Sequence, residues 1–170
     1  MDITDRAQGA MIGMALGEAL GAPLEGLTTE EVEKKVGRIE GFVDPGSTQP
    51  EGRAGFIPRF TYEDETQAAL AVAEVLIRSR SFAADALQER LEELAQPIEG
   101  NVFGCYRRPR RNFRSAVRRM LGGSHWRDCG INTAGSGAAS RAVPLGVWFR
   151  DDREALIRSC VEATLLTHRD

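Results

Sequence analysis

The fold is decided by residues 61–73, TYEDETQAALAVA, where three consecutive carboxylates stand directly before an apolar run. The apolar residues fall on nearly every side of a helix, so we predict a helix from Tyr62 to about Ser79 that is buried on most sides. Thr61 is placed to cap its N-terminus. Outward from this segment, almost no stretch shows the apolar–polar alternation that is typical of a strand. The sequence therefore predicts an all-α fold.

Six further segments have helical character. The first runs from Thr4 to Leu20, and the polar Gln8 and Glu18 within its apolar stretch predict a buried helix rather than a membrane span. Residues 28–31, TTEE, have the pattern of a capping box and predict a short helix. A stretch rich in glycine and proline covers residues 37–60. The other helices are predicted at about residues 82–95, 110–121 and 136–149, and from a capping box at Asp151 to the last residue.

The first helix carries four glycines, Gly9, Gly13, Gly17 and Gly21, spaced four residues apart. That spacing places them along one face of the helix. Each glycine costs a helix interior about 1 kcal/mol relative to alanine. We therefore expect another backbone to approach closely along this face, in a helix that packs centrally.

The composition indicates a single globular domain, since 170 residues can bury a sizeable core. A formal net charge of −3 gives no field that would attract nucleic acid. The three cysteines, Cys105, Cys129 and Cys160, have no C-x-x-C spacing, which argues against disulfides or structural zinc. The first five residues are acidic where a signal peptide is basic. We expect a cytoplasmic chain that binds neither nucleic acid nor membranes.

The triplet Glu63, Asp64 and Glu65 has two interpretations. Carboxylates at a helix N-terminus are stabilised by the helix dipole and by free N–H groups. Alternatively, adjacent carboxylates supply the oxygen ligands that Mg²⁺ or Mn²⁺ prefers. Glu25 follows the glycine-rich helix and becomes relevant only if its loop folds beside the triplet.

Two other segments carry weaker signals. Small residues at positions 132–139 would leave backbone N–H groups free to hold a phosphate, although they equally allow close helix packing. Seven arginines lie between Arg107 and Arg119, with no aromatic residues alternating among them, so a solvated basic face is favoured over a nucleic-acid site. His125 and His168 are isolated, and they belong to no recognisable Ser-His-Asp or Cys-His arrangement.

Four motifs, in this order, resemble those of the ADP-ribosylglycohydrolase family. Residues 17–26, GEALGAPLEG, resemble G-D-A-L-G-A-P-x-E-G, and residues 62–71, YEDETQAALA, resemble Y-T-D-D-T-Q-M-A-L-A. Residues 132–146, NTAGSGAASRAVPLG, resemble N-T-A-G-N-G-A-A-M-R-x-x-P-L-G, and residues 167–170 match T-H-R-D. The resemblance spans essentially the whole chain.

The resemblance implies a compact multi-helix fold and a hydrolase that removes ADP-ribose from protein side chains, with two divalent cations, Mg²⁺ or Mn²⁺. Its partner would be an ADP-ribosylated protein or ADP-ribose. By resemblance, Glu63, Asp64 and Glu65 are metal ligands and Glu25 is catalytic. The residues that would line the ADP-ribose pocket are Thr133, Gly135, Ser136 and His168.

This sequence departs from the family pattern in several places. The Thr-Asp-Asp triplet is Glu-Asp-Glu, the first-motif aspartate is Glu18, and the pocket asparagine is Ser136. Family members continue further and carry a second metal motif of D-x-D-T type, which this sequence lacks. We therefore expect residues 1–170 to form a single, truncated domain with half of the metal site. Its exposed apolar faces would favour self-association, and the chain alone would be a weak or inactive enzyme.

Three functions remain open. The first is a metal-dependent glycoside hydrolase, and the second is a non-catalytic family member that keeps the fold for binding or structural use. The third is a binding module built on the basic residues 107–119. Stabilisation by ADP-ribose separates the first from the third, and turnover separates the first from the second.

Overall fold

The computed structural model describes residues 2–50 and 60–169, and within these ranges all regular secondary structure is helical. The all-α prediction is confirmed. Two isolated bridges, Ile98–Asn101 and Ile131–His168, are the only β-type pairings in this part of the chain. The helices are α1 (Ile3–Gly21), α2 (Thr29–Lys35), α3 (Pro45–Thr48), α4 (Asp64–Ser79), α5 (Ala84–Ala95), α6 (Arg111–Leu121), α7 (Trp126–Cys129), α8 (Ala142–Trp148) and α9 (Arg153–Leu165), with 3-10 turns at Ala22–Leu24 and Ala139–Arg141.

Helix α4 is the central element of the fold. It contacts α1, α5, α8 and the 3-10 turn at Ala139–Arg141. Its small apolar residues allow these neighbours to approach closely, and the buried ones are Ala68, Ala69, Ala71, Val72, Val75 and Leu76. The prediction of a helix buried on most sides is confirmed.

Helices α5 and α6 complete the core around α4. Leu87 and Leu91 of α5 are fully buried, and Val117 and Met120 of α6 meet them in the same hydrophobic cluster. Each such side chain contributes about 1.5–3 kcal/mol when it leaves water. This packing fixes the segment that precedes α6, which carries two arginines of the site.

The prediction for α1 was wrong. Ala19 is the one buried residue of α1, whereas Ile12 and Leu16 are exposed. A Cβ atom built on any of the four α1 glycines would meet no described atom within 4 Å. Apolar residues occur on all sides of α1, but only the side that contacts α4 and α8 is covered by those helices. The expected exposed apolar face is therefore present, and self-association through it stays a prediction.

Local caps explain where some helices begin. The capping box before α2 is confirmed: Thr28 Oγ1 accepts the N–H of Glu31 at 3.2 Å, and Glu31 Oε2 accepts the N–H of Thr28 at 2.7 Å. The predicted cap at Asp151 was wrong by one residue, because Asp152 Oδ1 accepts the N–H of Ala155 at 2.9 Å.

The helix predicted at 136–149 begins later than expected. Residues 132–138 form a loop, the 3-10 turn follows, and α8 starts at Ala142. Gly135 and Gly137 lie in that loop, where helix formation would have cost more than for other residues. Among the described residues, no helix is long and apolar enough to cross a membrane.

Candidate active site

The first turn of α4 is capped by a residue from α1. Glu18 Oε2 accepts the backbone N–H groups of Glu63 at 2.9 Å and Thr66 at 3.1 Å, and its Oε1 accepts that of Glu65 at 3.2 Å. These bonds satisfy N–H groups that a helix start leaves open. The cap predicted at Thr61 was wrong, since the N-cap residue is Glu63 and the capping side chain is Glu18.

Two carboxylates of the triplet, those of Glu63 and Asp64, are buried. Glu63 is 0% exposed and Asp64 is 3% exposed. Burial raises the pKa of Asp64 to about 7, against the opposing effects of the Arg110 backbone N–H and guanidinium. Burial also raises the pKa values of Glu63 and Glu65, again opposed by nearby arginines. The cluster therefore carries a desolvation cost that positive charge relieves.

Arg108 and Arg110 join the triplet to Glu25. Arg108 Nη2 lies 2.7 Å from Glu25 Oε2, and its Nη1 lies 3.1 Å from Glu63 Oε1. Arg110 Nη1 lies 2.5 Å from Glu25 Oε1, and its Nη2 lies 3.5 Å from Glu63 Oε2. Both guanidinium groups thus bridge Glu25 and Glu63. The structure brings Glu25 beside the triplet, as the resemblance implied.

The start of α4 also holds the loop that carries these arginines. The Gln67 side chain donates to the Cys105 carbonyl at 2.8 Å and accepts the Arg107 N–H at 2.8 Å. Asp64 Oδ2 accepts the N–H of Arg110 at 3.1 Å. Arg108 itself has a φ of 46°, a left-handed conformation that is uncommon outside glycine. The loop backbone is therefore directed by polar groups of α4.

Sequence reasoning missed the role of these arginines. A solvated basic face was predicted, and this was wrong for Arg108 and Arg110, which are only partly exposed and form ion pairs. Their partner Glu25 lies 83 and 85 residues away in sequence. No local pattern links residues so far apart, so only an excess of arginine before α6 could have drawn attention to them.

A cavity of about 210 Å³ opens beside the triplet. Typical ligand pockets enclose about 300–1,000 Å³, so the described residues would enclose a large ligand only in part. The residues that line the cavity are Asp64, Glu65, Ala68, Arg110, Asn112, Phe113, Gly135, Ser136, Gly137, Thr167 and His168. The cavity thus joins the acidic start of α4 to the glycine-rich loop of residues 132–138 and to the segment after α9.

Three of the four predicted pocket residues lie on this cavity. Gly135, Ser136 and His168 line it, whereas Thr133 does not. A Cβ atom on Gly135 would lie 3.0 Å from Asn112 Nδ2 and 3.1 Å from His168 Nε2, so the missing side chain keeps this space open. Glu25 lies on an adjoining shallow groove with the arginines rather than on the cavity itself.

Comparison with known proteins identifies the family. The sequence profile described as ADP-ribosylglycohydrolase matches residues 1–170. This chain belongs to the ADP-ribosylglycohydrolase family. An uncharacterised protein from Archaeoglobus fulgidus is 26% identical over 164 residues, which cover 96% of this chain and 50% of that protein. The uncharacterised protein YegU from Escherichia coli K12 is 28% identical over 171 residues, covering 98% of this chain and 49% of YegU. The chain therefore spans about half the length of these relatives.

The donor set of this site suits a divalent cation, because it offers carboxylate oxygens. Oxygens of Glu18, Glu63 and Asp64 all lie within 4.8 Å of one another. The Glu18 carboxylate already caps α4. By contrast, both oxygens of Glu63 and Oδ1 of Asp64 are buried and accept no hydrogen bond of regular geometry within the described residues, although Arg108 and Arg110 form ion pairs with them. Glu63 and Asp64 therefore have coordination capacity to spare, next to the guanidinium groups that now face them.

Proposed function

We propose that this chain takes part in metal-dependent hydrolysis of the bond between ADP-ribose and a protein side chain. Family membership supports the class of reaction. The observation that carries the proposal is the shared cavity, in which Asp64 and Glu65 face Gly135, Ser136 and His168. A carboxylate cluster and a glycine-lined wall around one space suit an ion and a sugar nucleotide bound side by side.

The charge balance of the cluster supports a cation. Among the described residues, five carboxylates (those of Glu18, Glu25, Glu63, Asp64 and Glu65) gather here, with three arginines (Arg108, Arg110 and Arg141) close enough to affect their pKa values. With all groups ionised, five negative and three positive charges leave an excess of two negative charges. The diphosphate of ADP-ribose would add further negative charge. Binding ADP-ribose beside the ionised cluster is therefore favoured by added positive charge, which protonation of the carboxylates or a bound cation would supply.

We assign the cation to Glu63, Asp64 and Glu65 and propose Mg²⁺ or Mn²⁺, since carboxylate oxygens are ligands that both ions prefer. When bound, such a cation orients substrate oxygens and polarises the site. Glu25 would accept a proton from the water that attacks the anomeric carbon, while the bond from that carbon to the side-chain nitrogen breaks. The nitrogen takes up a proton as it leaves. Carboxylates nearby favour the positive charge that develops on the sugar ring.

The experiment measures binding and turnover on the same protein. With Mg²⁺ or Mn²⁺ present, millimolar ADP-ribose should raise the Tm of residues 1–170, because a ligand selective for the folded state stabilises it. Release of ADP-ribose from an ADP-ribosylated arginine substrate, which we expect to be slow for this chain alone, should fall to the background rate in Asp64→Asn and Glu25→Gln. Glu99→Gln, at an exposed position away from the cavity, is the matched control. A Tm unchanged by ADP-ribose, together with no turnover, would overturn the proposal.

One observation favours the second candidate, a non-catalytic family member. Arg108 and Arg110 already pair with Glu25 and Glu63, so these carboxylates are held by internal cations. A Tm shift with ADP-ribose but no turnover at any Mn²⁺ concentration would support this candidate. Turnover that Asp64→Asn abolishes would exclude it.

A further inference from the structure

Helix α6 carries a row of arginines on the side that faces away from the core. Arg111, Arg114 and Arg118 are exposed, whereas the buried residues of the helix are Phe113, Ala116, Val117 and Met120. The three arginines are spaced three and four residues apart, which places them along one side of the helix. We call these three residues the α6 basic face.

The arginines of this face form no ion pair with a carboxylate of the described residues. A shortage of acidic residues does not explain this, because the chain has 25 of them. Other arginines do find partners: Arg90 pairs with Glu74, and Arg169 pairs with Asp128. The positive charge of the α6 basic face is thus left uncompensated by the described part of the protein.

These arginines do not stabilise the helix that carries them. Like charges three or four residues apart destabilise a helix. Arg111 and Arg114 also lie near the N-terminus of α6, where the helix dipole disfavours positive charge and where the first turn has no acidic residue. Local preferences of this kind are broken mainly at functional sites. We therefore look for the function of this face in what it contacts.

The α6 basic face borders the groove that contains Glu25. Arg111 and Arg114 line this groove, which has a volume of about 420 Å³. The guanidinium carbon of Arg118 lies 5.1 Å from the ring centroid of Phe103, another residue of the groove wall. Arg110 lines both the groove and the neighbouring cavity. A ligand in the cavity and a ligand in the groove would therefore meet at Arg110, beside Glu25.

The groove keeps an excess of positive charge after its internal ion pairs are taken into account. Arg108 and Arg110 are held by Glu25 and Glu63. The charges of the α6 basic face remain, on a chain whose formal net charge is −3. Positive charge is thus concentrated at the groove of an otherwise acidic protein, where it attracts an anionic group locally.

A short acidic peptide fits this surface better than a nucleic acid does. The face spans about 10 Å along the helix axis, which is the length of about three residues of extended chain. A single-stranded nucleic acid is bound largely by stacking of its bases on aromatic rings. Phe103 is buried, and Arg118 lies over its ring. The net negative charge of the chain would also repel a long polyanion.

We propose that the α6 basic face docks an acidic segment of the protein substrate, next to the side chain that bears the ADP-ribose. With ADP-ribose in the cavity, the bond to be cleaved would lie near Glu25, and the polypeptide would leave the site along the groove. The identity of the docked segment as part of an ADP-ribosylated protein rests on the proposed function. The attraction of an acidic peptide rests on the arginines alone.

A fluorescein-labelled hexaglutamate peptide tests this surface without ADP-ribose or metal. At low salt, where exposed charges are least screened, fluorescence anisotropy should show binding to residues 1–170, and a peptide of six alternating glycines and serines should not bind. The double variant Arg111→Gln/Arg114→Gln should bind hexaglutamate about tenfold more weakly, since one exposed ion pair accounts for up to about fivefold in affinity. Absence of hexaglutamate binding to the wild type would overturn the proposal.

The matched control is Arg153→Gln/Arg158→Gln, which removes two exposed charges from α9 and changes the net charge equally. It should bind hexaglutamate like the wild type, and equal affinities of the two double variants would overturn the proposal. Arg111→Lys/Arg114→Lys keeps the charges and should retain binding. A labelled hexathymidylate that bound more tightly than hexaglutamate would also overturn it, in favour of a nucleic acid.

Thermal denaturation separates docking from a structural role of these arginines. The Tm of Arg111→Gln/Arg114→Gln should equal or exceed that of the wild type, because the substitutions relieve repulsion between like charges on α6. A Tm well below that of the α9 double variant would give the arginines a role in folding and overturn the proposal.

Modified peptides connect the α6 basic face to the proposed reaction. Isothermal titration calorimetry compares two peptides that carry an ADP-ribosylated arginine, one flanked by glutamates and the other by glutamines. The wild type should prefer the glutamate peptide about tenfold, and Arg111→Gln/Arg114→Gln should bind both equally. A preference that persisted in the variant would overturn the proposal. Hexaglutamate binding that depends on the arginines, together with no gain in affinity from the ADP-ribose group, would overturn the proposed function and support the acidic-peptide surface.

Discussion

The Glu18 carboxylate accepts the backbone N–H of Glu63 at 2.9 Å, so a side chain of α1 caps α4 from outside. This bond sets the distance between the first motif and the acidic triplet. A local cap would fix only the start of α4. A cap from α1 also fixes where Glu25, seven residues further along the chain, can reach.

We predict that Glu18→Ala lowers the free energy of unfolding by about 1–3 kcal/mol, because it leaves buried N–H groups of the α4 start without an acceptor. Glu18→Gln keeps one acceptor oxygen and should lower the free energy of unfolding by less than Glu18→Ala does. Chemical denaturation measures both, with the exposed Glu89→Ala as the control. Equal stability of Glu18→Ala and the control would contradict the capping role.

Arg110 is predicted to compete with divalent cations. Arg110→Gln removes a charge that faces Glu25, Glu63 and Asp64. Without metal we expect the free energy of unfolding to fall by about 2 kcal/mol. This is less than for a fully buried ion pair, because the Arg110 side chain is 35% exposed. With Mn²⁺, the Tm increase should exceed that of the wild type. Arg158→Gln, at an exposed position on α9, is the control, and a smaller Mn²⁺ shift in Arg110→Gln would exclude competition.

The sequence predicted those features that depend on nearby residues. The apolar run after the triplet predicted the burial of α4, and residues 28–31 predicted their capping box. The site was harder to predict from the sequence, because its hydrogen bonds join distant segments. Glu18 bonds to residues 45 to 48 positions away, and Arg108 bonds to Glu25, which is 83 positions away. The resemblance supplied Glu25 and the triplet, but it gave no signal for Arg108 or Arg110.

Helix α1 shows a different limit of sequence reasoning. Its apolar residues and its spaced glycines both predicted a packed helix. Packing, however, depends on whether another segment lies against the helix face, and no described atom lies within 4 Å of a Cβ built on any of the α1 glycines. A pattern of this kind indicates that a face is suited to contact, and it does not identify the partner.

The metal-free chain should lose stability as the pH rises from about 4 to 7. Burial holds the Asp64 pKa at about 7, above its ordinary value of 3.8, so the folded state binds more protons than the unfolded state in this window. A difference of one between the folded and unfolded pKa values corresponds to about 1.4 kcal/mol. Asp64→Asn should flatten the dependence in part, since the raised pKa values of Glu63 and Glu65 act in the same direction. Urea denaturation at several pH values, with exposed Asp5→Asn as the control, measures the slope, and an Asp64→Asn variant that kept the wild-type slope would refute this.

Gly13→Ala should stabilise the chain by about 0.5–1 kcal/mol, since alanine is the better helix residue and no described atom lies within 4 Å of the new Cβ. Gly130→Ala is the contrasting variant, because its Cβ would lie 2.5 Å from the Leu165 carbonyl oxygen. Gly130→Ala should lower the free energy of unfolding of the chain. Chemical denaturation compares the two, and a loss of stability in Gly13→Ala would indicate that another surface packs on this face of α1.

Gly135→Val should block the cavity while leaving the fold intact. The first added carbon already lies 3.0 Å from Asn112 Nδ2 and 3.1 Å from His168 Nε2, and valine adds two methyl groups beyond it. Gly135 does not have a positive φ, so the backbone accepts a side chain and the effect is confined to the space. We expect ADP-ribose affinity to fall about tenfold or more, equivalent to about 1.4 kcal/mol or more.

Gly9→Ala is the matched control, since its Cβ meets no described atom within 4 Å and α1 does not line the cavity. Isothermal titration calorimetry measures ADP-ribose affinity, and circular dichroism confirms that both variants keep the wild-type helicity. A folded Gly135→Val variant that bound ADP-ribose as tightly as Gly9→Ala would show that the ligand does not use this cavity. The assignment of Ser136 and His168 to the ligand site would then fail with it, because both line the same space.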